Sequence, residues 1–338
     1  MSGTTSKGLQ VRPGAPHAAI LGVGAYRPER VVPNSELVEA IDSSDEWIQQ
    51  RTGIKERRFA SAEETVQMMS VAASRQALER AGIGPEDVDA VLVATVSHFM
   101  QLPALAPLVA DELGCPAPAA FDLAAACAGF CHGVALAQDM IRGGSARHVL
   151  VVGVEKLSDM LDLTDRGTAF IFADGAGAVV VGPSDVAGIG PVVWGSDGEQ
   201  YDLIRSREDW RDVLAADTAV MPHLTMQGSA VFRWASFAMA KVGVRALEAA
   251  GVAPADLDVF VPHQANMRIT DAMARTMKLS PDVVVARDIA HQGNTSAASI
   301  PLALARLVDD GEVSSGQTAL LIGFGSGLSY AAQVVVLP

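Results

Sequence analysis

Apolar residues recur along this chain in short unbroken runs rather than in alternation with polar ones. Ala90-Val91-Leu92-Val93-Ala94, Val149-Leu150-Val151-Val152-Gly153 and Gly177-Ala178-Val179-Val180-Val181 are apolar at successive positions. Each predicts a strand whose two faces are both covered. Gly133-Val134-Ala135-Leu136-Ala137-Gln138-Asp139-Met140 reads as an apolar helix. Near the start, His17 to Gly24 predicts a strand closed by a glycine turn, Pro28 to Asn34 a loop, and Ser35 a helix opening with Glu36 in its first turn. Asp42 to Ile54 runs from an acidic cap into a short helix that presents Trp47 and Arg51 on one face. Helix, Ala-Gly turn and apolar strand alternate throughout, so the fold class expected is α/β, layered, with helices between and outside two sheets.

The pattern also repeats. Ala77-Leu78-Glu79-Arg80-Ala81-Gly82-Ile83 matches Ala246-Leu247-Glu248-Ala249-Ala250-Gly251-Val252 at an offset of 169, half of the 338 residues. Both stretches run on into apolar strands that end in a histidine, His98 and His263. Val149 to Gly153 recurs as Ala319 to Gly323 at an offset of 170. Two matches at nearly one spacing imply a duplicated chain, with halves at 1–185 and 186–338 joined near Val186 to Pro191. Carrying the first offset from Cys127 leads to Ser296, within Gly293-Asn294-Thr295-Ser296-Ala297-Ala298. The two small-residue segments are therefore expected as symmetry mates near the centre.

Composition narrows the function. Apolar residues at 49% and charged ones at 19% give a globular chain, and a net charge of −14 argues against general nucleic-acid binding. No run approaches the ~20 apolar residues a membrane span needs, and Met1 to Pro16 lacks a signal peptide's apolar core. A cytoplasmic protein is expected. Cys115, Cys127 and Cys131 are too few for a disulfide framework. Cys127, Cys131 and His132 on one helix lack the further ligands of a closed metal site, so no metal is expected.

Chemistry concentrates at four places. Cys127, in Phe121-Asp122-Leu123-Ala124-Ala125-Ala126-Cys127-Ala128-Gly129-Phe130, falls at a helix start. Free N–H groups and the helix dipole there favour thiolate and hence a nucleophile. It also reads as one more small buried residue of an alanine-rich core. His263 ends an apolar strand as the chain turns into a helix, the edge at which α/β sheets build sites, and reads equally as a loop histidine bonded to backbone. Asn294 follows a glycine at a helix start, where it caps and remains free for catalysis. Gly323-Phe324-Gly325-Ser326-Gly327-Leu328 is a glycine-rich turn that lets backbone approach a reacting centre, without the lysine of a phosphate loop. Trp47 with Arg51 suits an aromatic base and a phosphate, or simply packs within its own helix.

Together Ala-Ala-Cys-Ala-Gly-Phe at Cys127, Pro-His-Gln-Ala-Asn-Met-Arg-Ile at His263, Gly-Asn-Thr-Ser-Ala-Ala-Ser-Ile-Pro at Asn294 and the Gly-Phe-Gly-Ser-Gly-Leu turn resemble the thiolase-fold β-ketoacyl-acyl-carrier-protein synthases III. The resemblance runs from Ile20 to Pro338, and extends to actinobacterial members that prime polyketide synthases. It implies a five-layered αβαβα fold of two thiolase-like halves, Cys127 in the first and His263 and Asn294 in the second. It implies that Cys127 takes an acyl group from acyl-CoA, that the backbone N–H groups of Cys127 and Ser326 form an oxyanion hole, and that His263 and Asn294 stabilise the enolate left when malonyl-acyl-carrier protein loses CO₂. No cofactor is implied; acyl-CoA is a substrate.

The same resemblance assigns Trp47 and Arg166 to the CoA adenine, Arg51 to its phosphates, and Gly228 and Asn266 to the rest of the cofactor-like arm. Ser229 stands where many members carry Asn. Arg268, Arg233 and Arg275 become candidates for docking an acidic carrier protein. Phe324 and Leu102 belong to the acyl pocket, Leu102 lent by the partner of a homodimer. An acyltransferase acting on an alcohol or amine is the competing enzyme reading, and a partner subunit without chemistry the non-enzymatic one.

Overall fold

In the computed structural model, which describes residues 12–216 and 221–338, the apolar runs become two five-stranded sheets. The first contains β1 (His17–Tyr26), β2 (Ala90–Ala94), β3 (Ala119–Leu123), β4 (Val149–Lys156) and β5 (Asp174–Ser184); the second contains β6 (Val193–Ser196), β7 (Val259–Pro262), β8 (Val284–Val285), β9 (Thr318–Gly325) and β10 (Ser329–Val336). Their orders are β3-β2-β4-β5-β1 and β8-β7-β9-β10-β6. In each, three strands run parallel and the last two add antiparallel. The duplication seen as matching strings is thus a duplication of sheet topology.

Helices Gly129–Arg142 and Ser299–Asp309 lie between the sheets: Phe130, Val134 and Ile141 share one core with Ile300, Leu304 and Leu307 and with strands of both halves. Val66–Ala81 and Leu105–Leu113 cover the outer face of the first sheet, and Ala240–Ala250 and Met267–Met277 that of the second. The five layers expected, αβαβα, are those observed. Strands buried on both faces need apolar residues at every position, which is why β2 and β4 read as unbroken runs.

At the centre, each half presses a tight turn onto the other half's sheet. A side chain at Gly153 of β4 would run into the backbone of Ala297 and Ala298, and one at Gly323 of β9 would come within 3.0 Å of the Ala128 Cα and the Cys127 carbonyl. The glycine that closes both repeated strings is therefore required by close backbone approach. Both turns open on a residue in the left-handed region, Ala126 at φ 45° and Ser296 at φ 48°. That pair gives a local offset of 170, the same as Val149 to Ala319, whereas their strand partners Ala90 and Val259 stand 169 apart. Ala297, not Ser296, is thus the mate of Cys127, because one extra residue lies between β7 and its turn. His98 is not the mate of His263 either: β2 ends at Ala94, while His263 follows β7 directly.

The stretch expected as loop and helix at 28–36 differs. Arg30–Pro33 pairs antiparallel with Glu56–Phe59, and Ser35 sits in a single 3-10 turn, Asn34–Glu36. The buried Asn34 side chain holds this ribbon, donating to the Ile54 carbonyl at 2.9 Å. Among the described residues no helix is long and apolar enough to cross a membrane.

Candidate active site

Cys127 occupies the 3-10 turn Ala126–Ala128, two residues before the start of the helix Gly129–Arg142. β9 of the opposite half lies over it. A side chain at Gly325 would meet the Cys127 Cβ and Sγ at 2.8 Å, so only glycine fits where the strand passes the sulfur. Burial pushes the Cys127 thiol up to about 11, against the Ser296 hydroxyl and the backbone N–H groups of Cys127 and Ser326, which favour the thiolate. The thiolate expected at a helix start is therefore not the resting form. Desolvation of this buried sulfur outweighs the few donors near it.

His263 is 2% exposed and lies at the end of β7, its backbone N–H bonded to the Ile322 carbonyl at 2.8 Å. Its ring packs edge-on against Phe324, 5.4 Å between centroids. Burial holds the imidazole neutral down to about 3. Nδ1 is 2.7 Å from the Ser299 hydroxyl, which also accepts the Gln264 N–H at 3.2 Å. The Ser299 hydrogen has no other acceptor among the described residues, so it is given to Nδ1. That places the imidazole's own hydrogen on Nε2, as a donor.

Asn294 is fixed through its backbone, donating to the Ile171 carbonyl and accepting from Ala173, each at 2.9 Å. Its Oδ1 accepts the Ser296 N–H at 2.9 Å, closing an Asx turn ahead of the 3-10 turn Ser296–Ala298; the cap position expected for Asn294 falls instead to Thr295, because the chain takes one more residue before the turn begins. The amide nitrogen bonds to no protein group among the described residues and so remains available as a donor.

Cys127, His263, Asn294 and Phe324 line one cleft of about 540 Å³, together with Trp47, Arg51, Arg166, Gly228, Asn266, Arg233 and Arg268. Helix Asp45–Thr52, capped by Ser44, presents Trp47 with the guanidinium of Arg51 5.4 Å from its ring centre. Arg166 approaches the same ring at 5.1 Å. A flat base between Trp47 and Arg166 would replace that contact with two stacked ones. Asn266 already spends its side chain on the fold, donating to the Arg51 carbonyl at 3.0 Å and capping helix Met267–Met277 through the Arg268 N–H at 2.9 Å. Above Gly228 there is open space, with no atom within 4 Å of where a Cβ would stand.

Two residues lie apart from the cleft. Leu102 is 82% exposed, on the loop between β2 and helix Leu105–Leu113, and does not line its own chain's cleft. Arg275 is exposed on Met267–Met277 and is also absent from the lining. Arg268 lies at the cleft with its guanidinium over Phe232, 5.1 Å from the ring centre.

Three residues of the site were not singled out for chemistry in the sequence: Ser296, Ser299 and Glu155. The Ser296 hydroxyl favours the charged forms of both Cys127 and Glu155. A carboxylate closing an otherwise apolar strand, as Glu155 does in Val149–Lys156, was the legible signal, since strand ends are where sites form.

Residues 121–198 match the family model described as 3-Oxoacyl-[acyl-carrier-protein (ACP)] synthase III, and residues 247–337 match that of its C-terminal part. The chain is 59% identical over 325 residues to the beta-ketoacyl-[acyl-carrier-protein] synthase III of Streptomyces glaucescens, covering 96% of this chain and 98% of the relative. It is 56% identical over 325 residues to the mycobacterial beta-ketoacyl-[acyl-carrier-protein] synthase III of Mycobacterium marinum, covering 96% and 97%. Among solved structures, the priming β-ketosynthase of the R1128 polyketide biosynthetic pathway superposes with a TM-score of 0.95 at 50% identity, over 98% of this chain and 99% of that one. The 3-oxoacyl-(acyl carrier protein) synthase III of Pseudomonas aeruginosa does so with a TM-score of 0.87 at 39% identity, over 95% and 98%.

Proposed function

The chain belongs to the 3-oxoacyl-[acyl-carrier-protein] synthase III family, and from that premise we propose how its residues divide the work. It is an acyl-transferring condensing enzyme: it joins a short acyl-CoA primer to malonyl-acyl-carrier protein with loss of CO₂, giving a 3-oxoacyl-carrier protein that starts fatty-acid or polyketide synthesis. The observation that carries the assignment of residues is the meeting of one buried thiol, one Nε2–H donor and one unspent amide in a single cleft.

Cys127 attacks the acyl-CoA thioester. The C–S bond to CoA breaks, a new thioester forms on Cys127, and CoA leaves as its thiol after protonation. The backbone N–H groups of Cys127 and Ser326 favour negative charge at the sulfur and would stabilise the oxyanion of this step. Malonyl-carrier protein then enters; its carboxylate departs as CO₂, leaving an enolate whose oxygen accepts from His263 Nε2–H and the Asn294 amide. A neutral imidazole suits this role, because a donor with no charge to lose stays in place through the step. The enolate carbon attacks the acyl-Cys127 carbonyl and expels the sulfur. The reaction balances without a redox change.

Trp47 and Arg166 would hold the adenine of CoA and Arg51 its phosphates, with Gly228 and Asn266 beside the arm that leads to Cys127. Arg268, Arg233 and the more distant Arg275 would meet the acidic carrier protein, supplying local positive charge on a chain of −14. The working division is 1–185 for the nucleophile half and 186–338 for the half with His263 and Asn294. A homodimer is supported by β3, an unpaired sheet edge with Phe121 40% exposed, beside the loop bearing Phe99, Met100 and Leu102. Leu102 would then enter the partner's acyl pocket, alongside Phe324. CoA and carrier protein as substrates are consistent with a cytoplasmic site of action.

The test is to acylate Cys127 with acetyl-CoA, add malonyl-carrier protein, and follow CO₂ and the mass of the protein. One CO₂ released per acyl group lost from Cys127 is expected. Transfer of the acyl group to a hydroxyl or amine acceptor without CO₂ would replace this reading by the acyltransferase one.

A further inference from the structure

Glu155 is a carboxylate with no work assigned. It is fully buried at the end of β4, deep beside the nucleophile turn. One oxygen, Oε2, is well satisfied: it accepts from the Ser97 hydroxyl at 2.6 Å, the Val96 N–H at 3.1 Å and the Thr95 hydroxyl at 3.3 Å. The other, Oε1, is buried and has no hydrogen-bond partner. A lone buried carboxylate oxygen is costly unless something comes to it. Ser296 is the neighbour that can come. The turn it opens presses the Ala297 and Ala298 backbone onto Gly153, two residues before Glu155 on β4. Its hydroxyl, bonded to no protein group among the described residues, favours the charged forms of both the Glu155 carboxylate and the Cys127 sulfur, and its backbone is held in the left-handed region at φ 48°, where non-glycine residues are strained.

Building on the reaction assigned above, we propose that Glu155 takes up, through the Ser296 hydroxyl, the proton that Cys127 sheds on becoming a nucleophile, and holds it for the life of the acyl-enzyme. The Cys127 S–H bond breaks as a hydrogen joins Ser296 Oγ, and the hydroxyl's own hydrogen passes to Glu155 Oε1. Negative charge moves from the carboxylate to the sulfur and no charge is created in the core. When condensation later expels the Cys127 sulfur as a thiolate, the same steps run in reverse. CoA takes its proton from solvent, and this is the one proton that decarboxylative condensation consumes overall.

The surroundings favour this route over one through His263. Burial raises Glu155 to about 7, so it holds a proton far more readily than His263, which burial alone keeps neutral down to about 3. The titratable group facing Glu155 is Cys127, whose ionisation Glu155 opposes by charge. On its own strand, Lys156 turns away to the Ser61 carbonyl at 2.6 Å. On β5, Asp174 is engaged by the Ala60 and Ser158 N–H groups at 2.7 and 2.8 Å. From the 95–97 loop and the 296 turn, only amides and hydroxyls meet the carboxylate.

The experiment measures single-turnover acylation of Cys127 by acetyl-CoA from pH 5.5 to 9, by intact mass, in the wild type, Glu155→Gln, Ser296→Ala and the double variant, together with infrared difference spectra of acylated minus free protein. Each single variant should acylate about 100-fold more slowly, the low end of what a positioned proton acceptor supplies. The double variant should be no slower than either, because both break one path. Wild type should show a rate step near pH 7 and a protonated-carboxyl band on acylation, both absent from Glu155→Gln. Acetyl-CoA binding should be unchanged. Wild-type acylation with unaltered rates in the variants, or additive losses in the double variant, would overturn the relay alone; failure of wild type to acylate would overturn the relay and the functional reading together. If Glu155→Gln does not fold, Ser296→Ala, which keeps the carboxylate and its donors, decides on rate and band alone.

Discussion

Adding one methyl group at Gly325 should do more harm than its size suggests. The new Cβ would stand 2.8 Å from both the Cβ and the Sγ of Cys127, about 1 Å inside ordinary carbon contact. Neither neighbour can yield cheaply. β9 is bonded on one side to β7 and on the other to β10. The Cys127 turn starts from a left-handed Ala126 and is backed by Gly323, where a side chain would lie 3.0 Å from Ala128 Cα. Overpacking of this kind costs about 1–3 kcal/mol. The larger effect is on chemistry. A sulfur displaced by about 1 Å from the Ser326 N–H should lose about 100-fold in acylation rate. Gly325→Ala is compared with wild type by intact-mass acylation with acetyl-CoA and by thermal melting. The control is Gly198→Ala, whose Cβ would meet nothing within 4 Å. Acylation by Gly325→Ala within about threefold of wild type, with an unchanged melt, would show that the strand does not set the position of the nucleophile.

Two further outcomes are expected. His263 is held neutral to about 3, whereas a free histidine titrates near 6.5. Between these values the unfolded chain binds a proton that the folded chain refuses, so His263 stabilises the fold above pH 6.5, and that contribution shrinks as pH falls toward 3, by about 1.4 kcal/mol per unit. His263→Gln should make stability less acid-sensitive in urea unfolding at pH 7 and 5; an unchanged pH dependence would contradict the burial argument. Arg268→Glu should raise KM for malonyl-carrier protein about tenfold, the sum of a few surface ion pairs at about 0.5 kcal/mol each, and leave KM for acyl-CoA nearly unchanged; equal changes in both would remove the docking role.

Much of the architecture was legible because it depends on patterns that survive in one dimension. Strands covered on both faces must be apolar throughout, so β2, β4 and β9 announced themselves. The duplicated strings pointed to duplicated sheets. The paired glycines Gly153 and Gly323 were visible as the ends of a repeat, yet their reason, the opposite half's turn resting on each, needed coordinates. Cys127, His263 and Asn294 stood out because small-residue turns and strand ends mark them. What could not be read was whatever depends on depth and on partners distant in the chain. Cys127 was expected as a thiolate from its place at a helix start, and burial reversed that preference. Ser299 orients His263 across 36 residues, and Ser296 faces a carboxylate from the other half. The ribbon Arg30–Pro33 with Glu56–Phe59 is too short to carry a periodic signal, and Asn34 holds it by hydrogen bonds rather than by pattern.

The assignment of the two half-reactions to different side chains is tested most directly in Asn294→Ala. Acylation of Cys127 from acetyl-CoA, followed by intact mass, should stay near the wild-type rate, while CO₂ release from malonyl-carrier protein should fall by about 100-fold, the cost of one enolate donor. Equal losses in both steps, or undiminished CO₂ release, would contradict the account.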